Sequence, residues 1–225
     1  MMSQTASTED AFTPTARSRI KRLHERAAYD RDAVYAVLDA EMIAHVAYVI
    51  DGQPYVTPTA YWRDGDRLFW HGSSASRMLR TVKTGIPACF SVAMLDGLVL
   101  ARSGFHSSIN YRSVSAFGTA HAIEDPDEKL AALTAFSERL TPGRWDELRP
   151  ATSQELKATT VVTMVIEEAV AKIRTGPPGD DDEDYALDIW AGVLPVTRQI
   201  EQPIDDPKLK AGVAQPDHLN GFKIG

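Results

Sequence analysis

Two Asp-Gly pairs separate three short segments rich in β-branched and aromatic residues, and this arrangement constrains the fold more than any other part of the sequence. Gly52 and Gly65 each follow an aspartate, and the segments around them read HVAYVI, YVTPTAYW and RLFWH. Asp-Gly between such segments is a strong hairpin signal. The sequence therefore predicts an antiparallel meander, with an edge or bulge at Pro58 because proline cannot donate to the ladder.

Further strand and helix signals follow the meander. Long strands are predicted over ACFSVAMLDGLVLARS and RSVSAFGTAHAI, and one or two more over TTVVTMVIEEAVAKIRTG. Helices are predicted after the N-cap candidates Asp30 and Asp125, the second with Pro126 at its first position. Six or seven strands without regular βαβ alternation predict a mainly β protein, an antiparallel barrel with peripheral helices.

The chain is expected to form one domain with polar ends. Residues 1–15 are predicted to be a disordered tail, residues 16–200 the domain, and residues 201–225 an irregular extension. A net charge of -7 disfavours broad binding to nucleic acid or anionic membrane. The lone cysteine Cys89, the polar N-terminus and the lack of a long apolar segment predict a cytoplasmic protein.

The segment HGSSASRMLRTVKTG carries the first candidate site. Apolar residues at helical spacing, with Gly85 after the last turn, predict a helix whose first turn lacks an acidic residue and contains Arg77. Ser73, Ser74 and Ser76 place hydroxyls beside the N–H groups of that turn, which would suit a phosphate monoester. The alternative is a solvated helix end with Arg77 pointing to water.

Three further candidates each have a structural alternative. His71 could transfer a proton beside a ligand, or be a hydrogen-bonded structural histidine. Tyr111 could pack on an aromatic ligand and Arg112 could bind an anion, or both could belong to an exposed loop. Lys172 and Arg174 point the same way on a strand and meet either an anion or water.

Several site classes are not supported by spacing. The acidic segment DDDEDYALDIWA lacks the glycine and the final glutamate of a calcium loop. The histidines show no grouping typical of zinc, so no metal site is predicted. Glycine motifs of Rossmann domains and nucleophile elbows of α/β-hydrolases are also missing from the sequence.

Five motifs taken in order resemble one superfamily. HGSSASR, SGFHSSINYRSVSAFG, PGRW, KIRTGPP and DIWAGVLP are similar in order and spacing to the FMN-binding split-barrel superfamily typified by pyridoxamine 5′-phosphate oxidase. Within it they are most similar to the branch that contains the nitroimidazole-reductase resistance proteins. The resemblance implies a six-stranded split barrel that forms a homodimer with two FMN sites at the subunit interface.

The resemblance also implies roles for particular residues. Ser73, Ser76 and Arg77 would hold the FMN phosphate, and the strand around Thr57 would run beside the isoalloxazine ring. His71 would lie against the flavin as a proton donor or substrate contact. The full set of implied cofactor residues is Thr57, Pro58, Thr59, Ala60, His71, Gly72, Ser73, Ser76, Arg77, Tyr111, Arg112, Ser113, Lys172 and Trp190.

The function implied is an FMN-dependent oxidoreductase that takes hydride from NADH or NADPH and reduces a small acceptor such as a nitroaromatic or quinone. An alternative is a flavin- or haem-binding protein that stores, senses or traffics its cofactor without steady turnover. FAD, a deazaflavin or haem are the alternatives to FMN. The C-terminal DHLNGFKIG does not resemble the arginine-containing end of pyridoxamine phosphate oxidases, so pyridoxamine oxidation is not expected.

Overall fold

A closed ring of six antiparallel strands forms the centre of the computed structural model, which describes residues 10–82 and 85–222. The ring runs β6, β7, β4, β3, β2, β5 and back to β6, and this confirms the predicted mainly β split barrel. The strands are β1 (Ala27–Ala28), β2 (Ile43–Ile50), β3 (Gln53–Asp64), β4 (Arg67–Ser73), β5 (Ile86–Leu100), β6 (Ser108–Ala122), β7 (Thr159–Val165), β8 (Glu168–Arg174) and β9 (Gly192–Pro195).

The barrel is split where β6 exchanges one neighbour for another. Residues 120–122 of β6 pair with β7, whereas residues 111–117 pair with β8, which lies outside the ring and carries β1 on its far edge. Gly118 lies at the exchange, where an added Cβ would overlap the carbonyl oxygen of Val165. A side chain at this position is therefore excluded by the backbone of β7.

Four α-helices lie outside or across the ends of the ring. They are α1 (Arg31–Asp39), α2 (Arg77–Val82), α3 (Pro126–Leu140) and α4 (Ser153–Ala158). The side chains of Asp30 and Asp125 accept from Ala33 N and Glu128 N, so both predicted N-caps are confirmed. Within the described residues, no helix has the length and apolar content needed to cross a bilayer.

Two groups of buried side chains hold the fold together. The larger fills the ring and includes Phe90, Trp70 and Tyr61, whose hydroxyl donates to the Leu38 carbonyl at the end of α1. The smaller lies between the outer side of the ring and α3 and contains Trp62 and Phe69. Strand alternation puts Trp70 inside and Phe69 outside, so β4 contributes to both groups.

Some details differ from the sequence expectations. The disordered tail was expected over residues 1–15, of which residues 10–15 are described. Phe12 is buried there and its N–H donates to the Tyr29 carbonyl, because its ring joins the main core. Residues 1–9 lie outside the described part. Strand β9 and helix α4 were not predicted. At Pro58, β3 pairs only with β2 among the described residues, as expected of an edge.

Candidate functional site

Arg77 opens helix α2 at one end of the barrel. Its guanidinium lies 4.8 Å from the centre of the Tyr55 ring, and Nη1 is 3.4 Å from the Tyr55 hydroxyl. Tyr55 in turn stacks on Tyr48, which is buried in the barrel. Among the residues that the structure describes, no carboxylate lies within ion-pairing distance of Arg77. A fixed, exposed cation is therefore presented at the barrel end.

Of the serines before α2, Ser73 stabilises the turn, whereas the hydroxyls of Ser74 and Ser76 could bind a ligand. Ser73 Oγ accepts from Ala75 N at 3.3 Å, and the Ser73 carbonyl accepts from Ser76 N at 2.9 Å. The hydroxyls of Ser74 and Ser76 make no hydrogen bond within the described part of the chain. Gly72 allows α2 to pack close to β4, since a Cβ at this position would stand 3.0 Å from Leu79 Cδ1.

His71 lies away from Arg77, on the outer side of β4 beneath α3. Its ring is 4.6 Å from that of Phe136 and 5.9 Å from that of Trp62. Nδ1 is buried and has no hydrogen-bond partner among the described residues. Burial lowers the pKa of His71 below its usual value, so the imidazole is neutral at pH 7. A neutral ring can donate or accept a hydrogen bond but is a poor proton donor.

A second group of predicted residues lies on β6 and β8. Arg112 makes two hydrogen bonds to Asp96, from Nε at 3.0 Å and from Nη2 at 2.9 Å, and these raise the pKa of Arg112. Asp96 sits at the bulge where β5 shifts its register against β6. Ser113 Oγ donates to the Lys172 carbonyl at 3.2 Å. Arg112 thus has a protein partner, in contrast to Arg77.

The remaining predicted residues differ in how far other protein groups contact them. Arg174 donates to the Asn110 side chain and, at 3.4 Å, to the Pro177 carbonyl. Lys172 is half-buried opposite Ser113. Trp190 is 65% exposed and lies against Gly192, just before β9. An exposed tryptophan of this size is a natural contact for another molecule.

One chain does not bring the two groups of predicted residues together. Tyr55, which holds Arg77, pairs with Tyr48, and Tyr48 pairs with Ala88 on β5. Tyr111 instead pairs with Leu95, seven residues farther along β5. At about 3.4 Å per residue the two levels are about 24 Å apart. Ser113 and Lys172 lie at the level of Ala93, five residues or about 17 Å from Ala88. The two groups are therefore well separated along β5 within one chain.

The predicted residues Pro58 and Ala60 belong to a broad exposed surface, which we call the β2–β3–β5 face. Thr57 and Thr59 alternate with them and point toward the barrel; Thr57 Oγ1 lies 3.0 Å from the Tyr48 hydroxyl. None of the face's own residues is charged, and Arg17, over the Phe117 ring, lies at its Cys89 edge. Its members are the outward-facing residues Ile43, His45, Ala47, Val49, Val56, Pro58, Ala60, Cys89, Ser91, Ala93 and Leu95.

Three residues relevant to these sites were missed from the sequence. Tyr55 reads as an ordinary strand aromatic, and its contact with Arg77 depends on where α2 docks. Asp96 precedes Gly97, a turn-like pair that could have indicated the bulge. His45 lies on the β2–β3–β5 face among uncharged residues, and strand alternation could have placed it there.

The six-stranded ring with β8 and β1 outside it defines a split-barrel protein. A sequence profile described as pyridoxamine 5′-phosphate oxidase matches residues 30–173. The chain belongs to this family.

Solved structures of similar proteins cover nearly all of the chain. The flavocytochrome Anf3 from Azotobacter vinelandii is 44% identical, with a TM-score of 0.90, over 95% of this chain and 100% of that one. A FAD and heme binding protein from Mycobacterium smegmatis is 40% identical, with a TM-score of 0.84, over 88% and 97% of the two chains.

A more distant structure shows the fold alone. It is a putative 5-nitroimidazole antibiotic resistance protein from Bacteroides thetaiotaomicron, 18% identical, with a TM-score of 0.54, over 65% of this chain and 86% of that one. A search of curated protein sequences gave no match.

Proposed function

We propose that the chain is a flavin-dependent electron-transfer protein that binds the flavin phosphate at the start of α2. The observation that carries this proposal is Arg77, an exposed arginine held in place by Tyr55 with no carboxylate near it in the described residues. A helix start is already positive, so an added cation without an acidic partner is unfavourable there until an anion binds.

The donor set at this place fits phosphate oxygens. Arg77 supplies a planar guanidinium, and Ser74 and Ser76 supply hydroxyls that are unused within the described residues. FMN carries a phosphate monoester at the end of its ribityl chain and FAD carries a diphosphate there, so either cofactor would offer anionic oxygens to the same anchor. We favour FAD over the FMN that the resemblance implied, because a relative at 40% identity is described as a FAD and heme binding protein.

The protein groups would bind and orient the cofactor. When bound, a flavin supplies hydride and one-electron transfer chemistry. The uncharged β2–β3–β5 face would exclude water beside the ring, and neutral His71 would take part only as a hydrogen-bonding group. Reduction of a small acceptor at the expense of NADH or NADPH, with a nitroaromatic or a quinone as acceptor, remains our proposed reaction.

We also propose a homodimer, and the separation of the two groups of predicted residues supports it. Tyr111 lies about 24 Å along β5 from the level of Arg77, and Ser113 and Lys172 lie about 17 Å from it. If both groups contact one cofactor, the second group comes from another copy of the chain. The β2–β3–β5 face supports this, because exposed apolar surface without charges is typical of subunit interfaces.

Substitution of Arg77 tests the anchor. We expect Arg77→Ala to lower flavin affinity about tenfold or more, since a hydrogen bond to a charged group contributes about 1.5–3 kcal/mol. Its stability without cofactor should change by less than about 0.5 kcal/mol because the side chain is exposed. Arg80, exposed one turn later on α2, is the matched control, and Arg80→Ala should keep wild-type affinity. Equal affinity of the two variants would contradict the anchor.

The visible spectrum of the purified protein tests the cofactor and the reaction. A flavin spectrum is expected, and mass analysis of the released cofactor separates FAD from FMN. Anaerobic NADH or NADPH should bleach it, and an acceptor should restore it. A bound flavin that neither reductant bleaches would favour the alternative of a storage or sensing protein.

A haem is the second cofactor that we consider. Its support is that two relatives, at 44% and 40% identity, are described as a flavocytochrome and a FAD and heme binding protein. Haem iron needs an axial side chain such as histidine, and the chain has six histidines. An intense Soret band in the purified protein would show haem.

A further inference from the structure

Five of the six histidines are poor candidates for binding a large apolar cofactor. His106 Nε2 lies 3.2 Å from Asp181, and His218 Nδ1 lies 3.4 Å from Glu147. His71 is enclosed by Phe136 and Trp62 beneath α3. His24 projects into solvent with 83% of its side chain exposed, beside Glu25. His121 is exposed beside Gly85, but its strand partner Thr163 accepts a hydrogen bond from the charged Arg67, so its surroundings are not apolar.

His45 differs from these in its surroundings. It is exposed on the outer side of β2, where it pairs with Pro58 on β3 and Ser91 on β5. Among the described residues, it makes no hydrogen bond or ion pair. Its imidazole is therefore available to a ligand.

The residues around His45 form an apolar floor. Ala47, Ala60 and Ala93 are small, so the imidazole stands above them, because side chains project roughly perpendicular to a sheet. Ile43 and Val56, farther out, are 55% and 61% exposed. Three strands about 4.8 Å apart give the floor a width of about 10 Å, and β2 runs about 20 Å across it.

We propose that His45 is an axial ligand of a haem that lies on the β2–β3–β5 face. A flat, largely apolar ring with a metal at its centre needs a largely apolar surface with one nitrogen donor at its middle, and this face provides both. The proposal rests on the proposed function, because the second copy that we assign to this face would cover the ring.

Haem content and spectrum of purified variants test the proposal. The proteins are produced with added haem precursor, and haem and flavin are both measured per chain. We expect His45→Ala to lower haem per chain tenfold or more, or to displace the Soret band, while flavin content stays at the wild-type level. Added imidazole should restore the wild-type band by occupying the place of the missing ring. His121→Ala, which removes another histidine of the outer surface, should match the wild type.

The outcomes separate this inference from the proposed function. Wild-type Soret band and haem content in His45→Ala, measured on protein with an unchanged circular dichroism spectrum, would overturn the assignment of His45. Wild-type protein that holds flavin but takes up no haem would also overturn it and leave the flavin proposal standing. Wild-type protein that holds haem through His45 but no flavin would support His45 and contradict the proposed function.

Discussion

At the residue scale, His71 shows how burial changes what a side chain can do. The resemblance implied a proton donor, yet the structure places its ring between Phe136 and Trp62 with Nδ1 buried and unpaired in the described residues. Burial lowers the pKa of His71, so folding favours the neutral form. His71 therefore acts first as a packing residue of the group beneath α3.

This pKa has a consequence for stability. The unfolded chain protonates His71 near its usual pKa of about 6.5, before the folded chain does, so the unfolded state binds more protons below that pH. We expect the free energy of unfolding to fall as the pH drops through about 6.5, and to level off below the folded pKa. Urea unfolding at a series of pH values measures this.

A matched pair of variants isolates the contribution of His71. His71→Phe keeps an aromatic ring beside Phe136 and cannot titrate, so the loss of stability between pH 7.5 and 5.5 should become smaller. His24→Ala, which removes an exposed histidine, is the matched control. An identical profile for the wild type and His71→Phe would refute the pKa direction.

At the scale of elements, Gly118 fixes the place where the barrel splits. Its added Cβ would overlap the Val165 carbonyl oxygen and stand 2.9 Å from Met164 Cγ. Overpacking a core costs about 1–3 kcal/mol, and a backbone atom cannot rotate away, so Gly118→Ala should lose about 3 kcal/mol or more. Thermal or urea unfolding measures the loss. Gly104→Ala, in open space, should change stability by less than about 0.5 kcal/mol, and a similar small change at Gly118 would contradict this close packing.

The sequence predicted these elements best where their signals are local. Asp30 and Asp125 cap helices through backbone groups three residues away, and the Asp-Gly turns join adjacent strands, so both could be inferred. The exchange of β6 between β7 and β8 depends on residues about 50 positions apart. No local pattern carries that information, and the short strand β9 was missed for the same reason.

The candidate site also contains residues that a local pattern identified and residues whose surroundings depend on distant elements. Arg77 was identified because a cation at a helix start is unusual by itself. The pairing of Arg112 with Asp96 was not foreseen, since a bulge brings the two together across the β5–β6 hairpin. The burial of His71 could not be foreseen either, because it depends on α3 packing over β4. The cofactor roles of these residues remain predictions.

At the scale of the whole molecule, the β2–β3–β5 face is the place to test assembly. We expect Val56→Glu to weaken the proposed dimer about 100-fold or more, because an unpaired charge would be buried in the proposed apolar interface. Flavin content should fall with it, if the second copy completes the site. Light scattering after size-exclusion chromatography, with flavin absorbance recorded on the same peak, measures both.

Ile204 gives the control for added charge. It is 95% exposed on the C-terminal extension, so Ile204→Glu adds the same side chain away from the face and should remain dimeric with full flavin. A dimeric Val56→Glu protein with full flavin would exclude this face as the interface. A monomeric protein that retains full flavin would show that one chain forms a complete site.

The length of the β5–β6 hairpin determines how such measurements should be interpreted. Two of its positions, Ala88 and Leu95, lie about 24 Å apart along β5. If, as proposed, a coenzyme joins one of these levels in one chain to the other level in a second chain, occupancy and assembly become a single equilibrium. Dilution then releases the coenzyme, and excess coenzyme draws chains together, so a dissociation constant has meaning only with the chain concentration stated.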